Sequence, residues 1–249
     1  MPVAEVAGQQ FTVAGLVLDK DGTLLDFGRL WGGWAQALGR GVADALDGVL
    51  PVDALLEAVG TSSTDGAYDP TGPLAAGSLG EVRAALATRA YLAGVDWPRA
   101  RAAVDTAEAA VTAEFDRSRH VALRPGAHTL LERAAELGIG CALVTADDRA
   151  GAIADLEAVG VLDHFTAVIG DDDVERGKPA PDAVLAACER LGVEPAHALM
   201  VGDTANDLRA ARAAGLAAAI GTADAGVSVD HLPGADAIVR GLDELCLRP

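Results

Sequence analysis

The chain is predicted to be an α/β protein built on a parallel sheet, and three observations carry that prediction. From Arg124-Pro125-Gly126 onward, short apolar runs alternate with helical patterns. An isolated apolar run, Val13 to Leu18, precedes them and ends abruptly in Asp19-Lys20-Asp21-Gly22-Thr23. Between the two lies a block, residues 27–120, that reads mostly as helix. Strands alternating with helices argue for a parallel sheet with helices on both faces.

Val13–Leu18 is short, apolar and ends abruptly at Asp19-Lys20-Asp21-Gly22, which makes it a candidate buried strand. In the helical block, Leu30, Trp34, Leu38 and Val42 recur at a spacing of four. Val82, Leu86 and Ala90 do the same, and Ala100, Val104, Glu108 and Val111 more loosely, so each series marks one helix face. Gly60 to Gly80, rich in Gly, Ser, Pro and Asp, is predicted to be a long loop. After Gly126 the expected series is helix 127–137, strand 139–144, helix 149–158, strand 167–169 and helix 181–191. Strand 198–201, helix 205–214, strand 216–220 and the pair Ile238-Val239 complete it. The first strand is separated from its sheet partners by the helical block, which is too long for an ordinary crossover. The expected division is therefore 1–26 with 121–249 as one domain and 27–120 as an inserted one.

Composition narrows the function. At 249 residues and 51% apolar, the chain can bury a sizeable core without disulfides. Cys141, Cys188 and Cys246 are far apart and odd in number, which fits a reduced, cytoplasmic setting. Met1 to Gln10 has no cationic start or long apolar run and is not expected to be a secretion signal. No stretch approaches the roughly 20 apolar residues that span a bilayer. A formal net charge of −18 repels nucleic acid and anionic membranes. An anionic ligand would need a local cation to offset that field, yet the only lysines are Lys20 and Lys178.

Ligands of open parallel sheets bind beyond the carboxyl ends of the strands. Asp19 and Asp21 follow the first run, Thr145 follows 139–144, and Asp203 follows 198–201 with Asp207 four residues on. Lys178 sits in the loop Arg176-Gly177-Lys178-Pro179 that enters a helix. Asp19 and Asp21, spaced by two on an extended segment, point to one side about 6.6 Å apart, with Lys20 expected to point the other way. Gly22 permits a sharp turn after them. Each fragment alone also fits a plain turn or a helix cap: Asp-x-Asp-Gly is turn-like, and Thr204 or Asn206 suits an N-cap. Asp147 and Asp148 read as N-caps for helix 149–158, and Asp171, Asp172 and Asp173 as a solvated acidic turn. Two carboxylate clusters at separate strand ends suit a hard, oxygen-bound cation such as Mg²⁺. The histidines (His120, His128, His164, His197, His231) are scattered, which disfavours zinc or iron.

In their order, four segments resemble the haloacid dehalogenase superfamily of phosphohydrolases. They are Leu16-Val17-Leu18-Asp19-Lys20-Asp21-Gly22-Thr23, Ala142-Leu143-Val144-Thr145, Lys178-Pro179-Ala180-Pro181-Asp182, and Gly202-Asp203 with Asp207. The resemblance spans residues 13–207. It implies a Rossmann-like three-layer core with an inserted helical cap of the first type, and a phosphatase of small phosphomonoesters such as phosphoglycolate or a sugar phosphate. It implies Asp19 as nucleophile, Asp21 as general acid and base, and Thr145 and Lys178 as grips on the phosphoryl oxygens. Ala146, beside Thr145, and Arg83, in the cap, are the further expected substrate contacts. Mg²⁺ would be held by Asp19, the backbone carbonyl of Asp21 and Asp203, with Asp207 orienting that shell. Arg29, Trp31, Trp34 and Arg89 join Arg83 as cap residues that could select the substrate.

The sequence departs from the family pattern at three points. Lys20 stands where relatives usually have an apolar residue, Ala146 where Asn is common, and Leu25-Asp26-Phe27 where the family's phosphoglycolate phosphatases carry Asp-Ser. A phosphomutase on the same fold, or a phosphate-binding protein without catalysis, are the alternatives. A dehalogenase would not use Asp21, and a phosphonate hydrolase of this family would need a cap lysine that residues 27–120 lack. The expected partner is a small phosphorylated metabolite, with the protein a monomer or homodimer.

Overall fold

The computed structural model describes residues 1–63 and 67–249. The chain divides into two compact units: Met1–Asp26 with Val121–Pro249, and Phe27–His120.

The first unit holds the strands β1 (Val3–Val6), β2 (Gln9–Thr12), β3 (Gly15–Leu18), β4 (Gly140–Val144), β5 (Phe165–Ile169), β6 (Ala198–Gly202), β7 (Ala218–Thr222), β8 (Ala237–Val239) and β9 (Cys246–Arg248). Among the described residues, six of them form one sheet in the order β5-β4-β3-β6-β7-β8. Every neighbouring pair in it is parallel, which is the α/β fold the alternating runs predict. β3 lies at the centre, with Leu18 in register with Leu143 of β4 and Val201 of β6. The residues that follow these three strands are thereby delivered to one edge of the sheet.

The second unit is helical: α1 (Gly33–Ala45), α2 (Val52–Ala58), α3 (Pro73–Ala76), α4 (Leu79–Leu92) and α5 (Trp97–Glu114). A wider π turn, Gly28–Gly32, leads into α1. The spacing-four stripes form its core: Leu38 and Val42 of α1, Val82, Leu86 and Ala90 of α4, and Ala100, Val104 and Val111 of α5 are all buried. Glu108, placed on the α5 stripe by sequence, keeps 18% of its side chain exposed and pairs with Arg83 at 3.0 Å, and Ala107 fills the core position instead. The ends of these helices are locally encoded. Ser78 and Glu81 form a reciprocal capping box at α4, and the Asp96 side chain accepts from Arg99 N at α5. The expected loop from Gly60 to Gly80 is interrupted by α3 and by a bridge between Thr61 and Tyr68, whose ring lies 4.4 Å from Phe27. Residues 64–66 of that loop lie outside the described residues.

The first unit resumes with α6 (Ala127–Glu136), α7 (Arg149–Ala158), α8 (Asp182–Leu191) and α9 (Ala205–Ala214). α8 and α9 pack Val184, Ala187, Leu208 and Ala211 against Val17, Ala142 and Met200 on one sheet face. Leu16, Leu18 and Leu143, which alternate with these on the strands, are also fully buried. Strands covered on both faces must be apolar throughout, which is why they appear in the sequence as unbroken runs. A small antiparallel sheet in the order β2-β1-β9, not predicted from the sequence, joins the chain's two ends. Its hairpin turns through Ala7 and Gly8 at φ 48° and 77°. Tight hairpins need such a left-handed pair, but Asn or Asp usually marks its first position, and Ala does not announce it. Among the described residues, no helix is long and apolar enough to cross a membrane.

Candidate active site

The site is built by where the central strands stop. β3 ends at Leu18, and the next residue, Asp19, donates its backbone N–H to Val201 O of β6 at 3.0 Å. The chain then folds back: Leu24 N and Leu25 N both donate to Lys20 O, and Gly22 N donates to Leu25 O. Gly22 sits at φ +77°, and a Cβ there would lie 2.1 Å from Asp203 Oδ2. Only glycine lets this loop approach the carboxylate so closely.

Asp19, Asp203 and Asp207 come together: one carboxylate oxygen from each lies within 4.8 Å of the others, and all three residues are buried. Lys178 enters from the loop before α8. Its ammonium donates to Asp19 Oδ1 at 2.5 Å and to Val144 O at 3.2 Å, and stands 2.6 Å from Asp207 Oδ1. Burial and the neighbouring carboxylates of Asp207 and Asp21 push the Asp19 carboxyl up to about 7, with Lys178 pulling the other way. Burial, then Asp19 and Asp207, likewise hold Asp203 well above the ordinary carboxylate range, against Lys178 and Arg124. For Lys178, burial disfavours the charge, but Asp19 and Asp207 outweigh it and keep the ammonium protonated.

Three close, buried carboxylates facing one ammonium leave an excess of negative charge in a low-dielectric setting, and a cation relieves it. The donors are all oxygen, the chemistry of Mg²⁺ or another hard cation. The residues therefore fit the divalent ion that the sequence suggests. The Asp21 carboxylate is not in this group; it turns toward Lys20 at 3.1 Å.

Other sequence-selected residues fall as follows. Thr145 is buried at the end of β4, its Oγ1 accepting from Asp147 N at 3.1 Å, and Ala146 beside it is exposed. Asp207 is fully buried and also caps a helix. Its Oδ2 accepts from Thr204 N and Thr204 Oγ1 at 2.9 and 2.6 Å, closing a capping box at α9. Thr204, not Asn206, is the N-cap. Arg83 lies in the second unit, paired with Glu108 beside a groove of about 390 Å³ that Trp97 and Arg101 also line.

Two sequence-based expectations are corrected by the geometry. Asp148 is the N-cap of α7, accepting from Gly151 N, but Asp147 is not a cap: it binds Lys20 Nζ at 2.6 Å. Lys20 does not simply point away from the aspartates flanking it; it is fully buried and faces Asp21, Asp147 and Asp155. The acidic turn Asp171–Asp173 is exposed, as expected, and it also bonds locally: Asp172 accepts from Arg149 N and Asp173 from Gly170 N.

Sequence reasoning also missed Arg124. Its buried guanidinium donates to Gly22 O and, at 3.3 Å, to Arg240 O, and stands 2.9 Å from Asp224. It thus anchors the glycine that faces Asp203. Position beside Pro125 gave no sign of this. The signal for the Lys20 cluster was present, because Asp155 falls between Ala152 and Leu156 on the buried side of α7. An acid on an apolar helix face asks for an internal cation.

The model of the haloacid dehalogenase-like hydrolase family matches residues 13–215, and the chain belongs to that family. Over 127 residues it is 36% identical to a phosphoglycolate phosphatase of Chromobacterium violaceum, a match covering 51% of this chain and 56% of that one. The chain thus spans about half the length of that curated relative. A chain from Haemophilus somnus 129PT, described as a predicted phosphoglycolate phosphatase, superposes with a TM-score of 0.63 at 18% identity, covering 94% of this chain and 96% of its own. A Thermotoga maritima chain described as a candidate β-phosphoglucomutase gives 0.64 at 20% identity, covering 93% and 96%. At such identities the two structures show a shared fold.

Proposed function

We propose that the protein is a magnesium-dependent phosphatase of small phosphomonoesters, working through a phosphoryl group carried on Asp19. The observation that supports this most is the placement of the Asp19 carboxylate. It stands at the end of the central strand, bound by Lys178 at 2.5 Å and flanked by Asp203 and Asp207.

In this reading an Asp19 carboxylate oxygen attacks phosphorus, and the bond from phosphorus to the leaving oxygen breaks. Asp21 gives its proton to that oxygen. Water then attacks the phosphorylated Asp19, Asp21 takes a proton from it, and the acyl–oxygen-to-phosphorus bond breaks to release inorganic phosphate. Lys178 and the Thr145 hydroxyl hold phosphoryl oxygens. Asp19, the backbone carbonyl of Asp21 and Asp203 would hold Mg²⁺, with Asp207 fixing Lys178 and the shell. When bound, the ion offsets the charge of the carboxylates and of the incoming phosphate.

Phosphoglycolate is the first substrate to test, because the curated Chromobacterium relative is a phosphoglycolate phosphatase. We assign the unit Phe27–His120 the role of a cap that selects the leaving group, with Arg83 and Ala146 among the substrate contacts. The test is phosphate release from a panel of metabolite monoesters with Mg²⁺ and with EDTA, for wild type and Asp19→Asn. Magnesium-dependent release that Asp19→Asn loses supports the reading. No release from any ester by Mg²⁺-loaded protein rejects it, and phosphoryl exchange between sugar phosphates would then favour a mutase.

A further inference from the structure

Lys20, just past the end of the central strand, is buried with no solvent-exposed surface. Its ammonium lies 2.6 Å from Asp147 Oδ2, 2.6 Å from Asp155 Oδ2 and 3.1 Å from Asp21 Oδ2. The four groups come from three places: the loop after β3, the loop after β4, and the buried side of α7. Burying a lysine is costly, and a methionine of similar size would fill the same space without that cost. The sequence nevertheless supplies two further acids whose side chains converge on it. The two shorter pairs hold the ammonium to Asp147 and Asp155, and the third links it to Asp21.

We infer that Lys20 is a positioning residue for the reaction: it fixes the Asp21 carboxylate toward the leaving oxygen by gripping Oδ2, with Asp147 and Asp155 as its anchors. This rests on the proposed role of Asp21. A carboxylate has free torsions about its side chain even in a tight turn, and proton transfer needs it within hydrogen-bond reach of one oxygen. Tying Oδ2 to a cation with no freedom of its own leaves Asp21 one working orientation. Small misplacements of an acid cost rate rather than binding. A lysine that served only to pin α7 to β3 would affect all substrates alike.

The experiment compares two esters that differ in their need for an acid: phosphoglycolate, with a poor alkoxide leaving group, and p-nitrophenyl phosphate, with a good one. Measured are kcat, KM and melting temperature for wild type, Lys20→Met, Lys20→Met/Asp155→Asn, Asp155→Asn and Asp21→Asn. Lys20→Met is expected to lower kcat on the alkyl ester roughly 10- to 100-fold with KM nearly unchanged, and on the aryl ester by less than about threefold. The double variant also neutralises the buried Asp155 carboxyl that Lys20→Met would leave facing a methionine, so it shows the same split if Lys20→Met alone does not fold. Asp155→Asn, which weakens one anchor and leaves Lys20 held by Asp147 and facing Asp21, should show the same split to a smaller degree. Equal losses on both esters, no loss in a folded variant, or failure of both Lys20 variants to fold would assign Lys20 to the scaffold alone and overturn the inference. If Asp21→Asn itself shows no such split, the reading of Asp21 fails; if it does and Lys20→Met does not, only the role of Lys20 falls.

Discussion

Lys178 Nζ stands 2.5 Å from Asp19 Oδ1, an ammonium from the loop before α8 meeting a carboxylate at the end of β3. The pair joins residues 159 positions apart in sequence. Lys178 also stands 2.6 Å from Asp207, so its removal strands two buried acids. Lys178→Met should lower kcat at least about 100-fold, by loss of phosphoryl stabilisation. It should also lower stability by about 3 kcal/mol, as expected when one partner of a buried pair is removed. Steady-state kinetics and urea unfolding check the two effects separately.

The pH dependence of stability follows from Asp19. Its folded-state value is raised from 3.8 to about 7, chiefly by burial. Between those values the folded protein keeps a proton that the unfolded chain has lost. The contribution of this group to stability therefore falls as pH rises through that window and stays low above it. Metal-free Asp19→Asn should gain stability relative to wild type as pH is raised from about 5 to about 8. Magnesium should raise the melting temperature of the wild type more at about pH 8 than at about pH 5, because protons compete with the ion. Melting curves with Mg²⁺ and with EDTA, across that range, check both.

Gly22 is fixed by its surroundings. Adding a methyl group would set it 2.1 Å from Asp203 Oδ2 at a φ of +77°. Gly22→Ala is expected to cost about 1–3 kcal/mol through backbone strain and the displaced carboxylate. It should weaken Mg²⁺ affinity as well, which titration calorimetry would read.

Arg124 holds the carbonyl of that same glycine from the other side. Arg124→Met should destabilise the protein by about 2 kcal/mol or more, since Gly22 O loses a buried charged donor. Its effect on stability, read by urea unfolding, should exceed that of Arg212→Ala. Arg212 pairs with Asp236 at 2.6 Å but is half-exposed, and such pairs contribute little.

Much of this site was legible in the sequence, for a physical reason. Ligands of a parallel sheet bind beyond the carboxyl ends of its strands, so the clustered Asp19 and Asp203 could be found from where Leu18 and Gly202 end. The stripes of α1 and α4 were equally plain, since their buried positions repeat every turn. What stayed hidden depends on pairings across long sequence distances. Asp155 on the buried side of α7 signalled an internal cation, but nothing in the sequence said that the cation is Lys20, 135 residues away, or that Asp147, 127 away, joins it. The β2-β1-β9 sheet was hidden too, because its strands are short, partly polar and joined by a turn whose first left-handed residue is Ala7. Glu108 shows the converse error: a helical period places a residue near a face, but neighbours decide which side of the edge it takes.

Asp19 is the residue proposed to carry the phosphoryl group. The most direct measurement is to quench wild-type protein during turnover of phosphoglycolate with Mg²⁺, reduce with borohydride, and map the modified residue by peptide mass spectrometry. Acyl phosphates are reduced to the alcohol, so homoserine is expected at position 19 in wild type but not in Asp19→Asn. Modification at Asp21 or Asp203 instead, or steady turnover with no reducible residue and undiminished activity in Asp19→Asn, would contradict it.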